Sequence, residues 1–391
     1  MKSNIKYRFL IFIAIIYPFF PLMKEWSTSS GNILELIIIF MLSIVTIVTI
    51  DNSRIILKLS VSHILLLLLL VFYTLLSSNI VDGFSAFRIF LLYIILYDSL
   101  IEISSKQQIQ QIISAIIIVG VIMALGALIQ FAFPDIIKSF HNPSAWYDLG
   151  AKTNFIPFNI LNRAVSFLND PNVLGVYISS VIILIFEASK YVKIRYIKSI
   201  LLIMCISIIS SQSRTAIFIL LIYFILKSIV WLFGSNQINI FWLLSIGLVI
   251  VVVMILLYKN ITSVSEYLRV NTLLNGNGRV SRNHLYVQNL LAQNTNHLLF
   301  GNGLTVGRSG MVFENIYLMF FYSFGFIGCI ILTIFMILSF KKIFILSNTI
   351  PIICYLIINY VGDYFFIPLI SIIYLFIFTF NLLKKTTTVS L

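Results

Sequence analysis

Apolar residues run in long blocks along almost the whole chain, separated by short polar breaks. The blocks cover 8–23, 33–50, 60–79, 84–101, 109–133, 171–187, 197–211, 214–233, 238–258, 315–339, 348–362 and 365–383. Most reach or approach the roughly 20 residues that a bilayer span needs. They predict about twelve transmembrane helices in a single integral membrane domain over 1–391. The breaks near 212 and 363 are so short that this count is open by one pair. Only two connections are long, 134–170 and 259–313. Both mix turn formers, aromatic residues and arginine, and connections of that length usually carry function.

Composition agrees with this pattern. The 391 residues are 60% hydrophobic and 10% charged, against about 45–50% apolar and about 25% charged in soluble domains. A cytosolic globular protein is excluded. The opening MKSNIKYRFLIFIAIIYPFF has the basic and apolar regions of a signal peptide. It lacks a small-x-small cleavage site, so a retained signal anchor is expected.

Lysine and arginine set the expected orientation. With the N-terminus inside, Lys2, Lys6, Arg8, Arg54, Lys58, Lys106, Lys190, Lys193, Arg195, Lys198, Lys227, Lys341, Lys342, Lys384 and Lys385 all fall on the cytoplasmic side. Both termini are then cytoplasmic, and both long connections lie outside.

The residues that can carry chemistry are few. Cys205, Cys329 and Cys354 all sit in apolar runs, and the four histidines are scattered. No HExxH, CxxC, P-loop or GxGxxG occurs, which removes most nucleotide-driven and zinc chemistry. Neither a cofactor nor a metal is expected, and no nucleic acid.

The informative positions are outer-side arginines: Arg88 about a turn inside its span, Arg163, Arg214, and Arg279, Arg282 and Arg308 in the second long connection. Positive charge within reach of the membrane is expensive and usually has a specific partner. In SQSRTAIFILL, Ser211 or Ser213 can cap a helix that opens with Arg214. A cation there opposes the helix dipole unless an anion is bound. Otherwise it snorkels to the interface. Arg279 and Arg282, in NGNGRVSRNHLY, present two guanidinium forks suited to a pyrophosphate; the alternative is a solvated loop face.

Glu314 stands at the start of ENIYLMFFYSFGFIG, where it either caps a helix or serves as a carboxylate base. Tyr317, Leu318 and Phe321 share its face. Asp170-Pro171 is a strong helix start. Asn172 has no capping duty and can offer its amide to a polar ligand. Trp146 and Tyr147 suit sugar stacking or the interfacial belt.

RAVSFLNDPN at 163–172, SQSRTA at 211–216, GR at 278–279, LLFGNGL at 298–304 and ENIYLMFFYSFGFIG at 314–328 resemble, in this order, the superfamily of bacterial O-antigen polymerases (the Wzy type) and O-antigen ligases. The resemblance covers roughly 160–340. It implies an all-α polytopic fold like that of GT-C-like lipid-linked glycan transferases, in the bacterial inner membrane.

The implied activity is transfer of a glycan from undecaprenyl pyrophosphate to an acceptor at the outer face. Membrane lipid is a partner throughout, and a chain-length regulator is the protein partner that the family suggests. By the resemblance, Arg214 and Arg279 hold the donor pyrophosphate, helped by Arg282, Arg163 or Arg88. Glu314 acts on the acceptor, with Asn172, Asn315, Tyr317 and His284 nearest the glycan. Ligases carry His-Asn where this chain has Glu314-Asn315, so the resemblance favours a polymerase. A ligase and a lipid-linked oligosaccharide flippase are the alternatives.

Overall fold

The computed structural model describes residues 2–27, 33, 35–41, 48–51, 54–57, 60–101, 103, 105–142, 163–189, 192, 194–234, 287–288, 291–305, 315–340, 349–361 and 364–388. Over these the chain is an α-helical membrane protein. Five helices are long and apolar enough to cross a bilayer, and four shorter apolar helices accompany them.

The first segment is α1 (Lys2–Ile16), a 3-10 turn at Tyr17–Phe19 and α2 (Phe20–Trp26), continuous enough to act as one span. Residues 35–41 are helical. An antiparallel hairpin, β1 (Val48–Asp51) and β2 (Arg54–Leu57), then pairs Val48 with Leu57. It occupies the end of the span expected at 33–50. β-Branched residues such as Val48, Thr49 and Ile50 suit a strand as well as a membrane helix, so hydropathy alone does not distinguish the two.

The remaining helices follow the apolar runs closely. They are α3 (Val61–Leu75), α4 (Ile80–Ile101), α5 (Lys106–Ala132), α6 (Pro134–Lys138), α7 (Pro171–Ala188), α8 (Ile197–Ser211), α9 (Arg214–Gly234), α10 (Thr295–Phe300), α11 (Ile316–Ser339), α12 (Thr349–Val361) and α13 (Pro368–Thr388). The expected span 238–258 and most of both long connections lie outside the described residues. α7 is the central helix, packed on α5, α8, α9 and α13. Most of its side chains are buried, Ser179 and Ser180 included.

α11 departs from the expected single span. Gly325 has φ 63° and ψ −174°, a combination essentially restricted to glycine, and it breaks the helix in two. The carbonyls around the break find partners elsewhere. Tyr322 O accepts from Asn302 N (2.9 Å), Ser323 O from Gly303 N (3.0 Å) and Phe324 O from the Tyr73 hydroxyl (3.1 Å). Satisfying every backbone group is what permits a broken helix at membrane depth. A second interruption separates α12 from α13, where Tyr364–Phe366 form a 3-10 turn. The first half of α11 packs on this region: Phe320 lies against Phe365 with ring centroids 5.4 Å apart, and the Tyr317 hydroxyl donates to Leu356 O of α12 at 2.9 Å.

Candidate functional site

One end of the bundle gathers several of the predicted residues. α7 begins as its sequence directs: Asp170 is the N-cap, its Oδ1 accepting from Asn172 N (2.7 Å) and Val173 N (3.3 Å), and Pro171 takes the first helical position. α9 begins beside it. Ser213 Oγ accepts from Ala216 N at 3.4 Å, so Ser213 rather than Ser211 caps the helix that Arg214 opens. Ser211 Oγ instead accepts from Ser213 N (3.3 Å) and shapes the turn.

Gly175 allows the two helix starts to approach. A Cβ at that position would lie 2.3 Å from Ser213 Cβ and 2.9 Å from Ser211 Oγ. Arg163 crosses between them, donating from Nη2 to Asn172 Oδ1 (2.7 Å) and from Nε to Ser211 O (3.3 Å). Ala164 N adds a bond to Ser210 O at 2.9 Å. Asn172, read from sequence as free to meet a ligand, therefore commits its carbonyl oxygen to Arg163; its NH2 group is the part that can still turn to a ligand.

The turn after Arg163 is fixed from below and from the side. Gln130, buried near the end of α5, accepts from Val165 N (2.8 Å) and Ser166 N (2.9 Å) with Oε1. His141 lies between Ser166 O (2.8 Å from Nε2) and Glu25 Oε2 (2.7 Å from Nδ1). Burial disfavours the charged imidazole, but the bonds to Glu25 and Ser166 and the Glu25 charge outweigh it, so its pKa is raised. Trp26 Nε1 to Phe140 O (2.8 Å) and Asn142 Nδ2 to Glu25 O (2.9 Å) complete this clasp.

Arg88 belongs to a second cluster at the same end. Its Nη2 is 3.1 Å from Glu35 Oε2, which also takes Lys24 Nζ at 2.7 Å, while Glu35 Oε1 accepts the Tyr17 hydroxyl. Lys24 precedes Glu25 of the clasp, so the two clusters are joined through α2. The sequence reading missed Lys24 and Glu35. A lone carboxylate in the apolar run ILELIIIF was the available signal, because an acid at such a place calls for a cation.

Asn315 is the N-cap of α11, its Oδ1 accepting from Tyr317 N (2.9 Å) and Leu318 N (3.4 Å). Capping was one of the two roles open to Glu314, one residue earlier; Asn315 fills it. Tyr317 spends its hydroxyl proton on Leu356 O. Asp82, also missed from sequence, is buried and accepts from Thr305 Oγ1 at 3.4 Å. Glu314, Arg279, Arg282, His284, Arg308, Trp146, Tyr147 and Asp363 lie outside the described residues. Among the described residues no group of three or more His, Cys, Asp or Glu side chains could hold a metal ion.

Chemically, this end offers adjacent helix starts, whose dipoles favour anions, with Arg214 opening one of them and Arg163 bridging the two. The class these features define is an α-helical membrane protein that gathers Lys24, Arg88, Arg163 and Arg214 at one end. No family model, curated protein or solved structure matches the chain.

Proposed function

We propose that the protein polymerises undecaprenyl-pyrophosphate-linked oligosaccharide repeat units into O-antigen or a related surface polysaccharide. The setting would be the outer face of a bacterial cytoplasmic membrane, with both termini inside. The observation that carries this reading is the meeting of two motifs distant in sequence. Arg163 and Asn172 come from RAVSFLNDPN, Ser211 and Arg214 from SQSRTA, and Arg163 bonds to both Asn172 and Ser211. These are the segments on which the resemblance to lipid-linked glycan polymerases rests, and they meet at the end that the basic residues place outside.

In the reaction, a hydroxyl oxygen of the acceptor sugar attacks the anomeric carbon of the donor glycan. A new glycosidic C–O bond forms as the bond to the diphosphate breaks. The diphosphate leaves with the electron pair, and Glu314 accepts the hydroxyl proton. Negative charge grows on the departing diphosphate, where preorganised cations help most. Arg163 and Arg214 fit that duty, joined by Arg279 and Arg282 of the second long connection. Asn172 through its NH2, with Asn315, Tyr317 and His284, would line the acceptor path. A chain-length regulator is the protein partner this activity would use.

One observation favours a flippase instead. α11 is broken at Gly325, and discontinuous helices are common at transporter substrate sites. Here, however, the carbonyls at the break are taken up by Asn302, Gly303 and Tyr73, which leaves them closed rather than presented to a substrate.

Purified protein in nanodiscs, given lipid-linked repeat units without metal or nucleotide, should yield a ladder of longer lipid-linked glycans. No ladder from folded protein and native substrate would overturn the reading. Transfer only when lipid A core is supplied would mark a ligase, and transbilayer movement without elongation a flippase.

A further inference from the structure

Among the described residues, the Lys24–Glu35–Arg88 cluster brings two cations into contact with one carboxylate. Glu35, 2% exposed, is shared by Lys24 (2.7 Å) and Arg88 (3.1 Å). Tyr17 adds a hydroxyl but no charge. Glu25, next along α2, is turned to His141, and Asp82, on the same helix as Arg88, to Thr305. Among the described residues, one carboxylate in direct contact with two cations leaves a local excess of positive charge. Arg88 Nε is moreover buried with no hydrogen-bond partner, and the Arg88 side chain is only 13% exposed.

Arg88 is the ninth residue of α4, so its Cα lies about 12 Å along the axis from Ile80. Surplus charge at such a depth is costly unless a counter-ion completes it. A guanidinium with an unused N–H, beside an ammonium, matches the oxygens of a phosphate or diphosphate.

We propose that Lys24 and Arg88 form a second lipid-diphosphate site, separate from the one at Arg163 and Arg214. This rests on the polymerase reading, in which both reactants are lipid-linked: the growing chain that leaves its carrier, and the repeat unit that accepts it. Each brings a diphosphate, so each needs its own cations. The two arginine groups are held by different elements, with the His141–Glu25 clasp between them. Arg214 opens α9 and Arg163 bridges the two helix starts, where leaving-group charge is best stabilised. Lys24 and Arg88 then hold the acceptor's carrier, whose diphosphate stays intact. This moves Arg88 from the donor to the acceptor.

The test is native mass spectrometry of the full chain from nanodiscs, with undecaprenyl diphosphate, phosphatidylglycerol or inorganic pyrophosphate as probe. Wild type should hold two undecaprenyl diphosphates. Arg88→Gln should weaken one by roughly tenfold or more, and Arg214→Ala the other. Lys24 still neutralises Glu35 in Arg88→Gln, so its thermal midpoint without ligand should stay near wild type. A fall without ligand, with both lipids still bound, would make Arg88 structural and overturn the inference while leaving the polymerase reading intact. A single undecaprenyl diphosphate in wild type, lost in Arg214→Ala, would do the same. Phosphatidylglycerol or free pyrophosphate filling the Arg88 site equally well would overturn its assignment to the acceptor lipid. Wild type that binds no undecaprenyl diphosphate would sink both readings.

Discussion

The two ends of the bundle handle charge in opposite ways. At the far end of α7, about 24 Å along its axis from Pro171, Glu187 meets Lys227 at 2.6 Å and accepts the Tyr223 hydroxyl at 2.7 Å. On α3, His63 Nδ1 lies 3.2 Å from Asp98 Oδ2 of α4, and its Nε2 is 3.2 Å from Ser339 O of α11. Lys227 and His63 each face one acid there, and these pairs tie helices together. At the other end, Lys24 and Arg88 compete for one carboxylate, and Arg163 donates to Asn172 Oδ1 and Ser211 O. Matched pairs serve architecture. On the polymerase reading, the two cations that share Glu35 would serve an anion that arrives from outside.

The sharpest way to break this contrast is to remove one cation from each end. Arg214→Ala should reduce long-chain product about 100-fold or more, the scale for losing one preorganised charge at a developing anion, with the protein still folded in the membrane. Normal chain length from that variant would remove the functional meaning of the basic end. At the opposite end, Lys227→Met should leave polymerisation per folded molecule unchanged and act on stability instead. It strands a buried carboxylate, which costs about 3 kcal/mol, and the double variant Glu187→Leu/Lys227→Met should recover most of that loss. A double variant as unstable as the single one would mean the pair is not a self-contained tie. Lost activity with normal stability would place chemistry at the wrong end.

A stability loss at least as large as that of Lys227→Met is expected of Gly325→Ala. A Cβ at Gly325 would come 2.4 Å from Gly301 N and 2.6 Å from Leu299 C, on a backbone that itself costs about 1–3 kcal/mol for a non-glycine residue. The combined loss should exceed about 3 kcal/mol and appear as a lower thermal midpoint together with lower yield. An unchanged midpoint would mean that α11 runs straight and that the bonds from Asn302 and Gly303 are dispensable.

The sequence made some of this legible and hid the rest for physical reasons. Spans at 60–79, 84–101, 109–133, 171–187, 197–211 and 214–233 appear as helices because hydropathy and length are local properties. The same holds for Asp170-Pro171, whose capping acts within one turn. The motifs singled out Arg163 and Arg214 as candidates, but not that Arg163 would bond to Asn172 and to the turn before Arg214. The Glu35–Arg88 contact spans residues far apart in the chain and lies beyond any periodic signal. Gly325 was hidden differently: a glycine in SFGFIG is unremarkable in a membrane helix, where Gly is common. Only the partners of the neighbouring carbonyls reveal the break.

The smallest expected effect belongs to the clasp that joins the two cationic clusters. His141 sits between Glu25 Oε2 and Ser166 O, and its pKa is raised in the folded protein from the ordinary value of 6.5. Burial opposes the charge, yet the carboxylate and carbonyl more than offset it. A raised folded pKa means that protons stabilise the fold. The contribution is complete below about pH 6.5, the unfolded value, and is lost as pH rises through the higher folded value. The thermal midpoint should therefore fall over that window, and Glu25→Gln should flatten the fall by removing the charge that favours imidazolium. A midpoint that rises with pH there, or a slope unchanged in Glu25→Gln, would show that His141 is held neutral. The clasp would then join the clusters through geometry alone, with no share in the charge of this end.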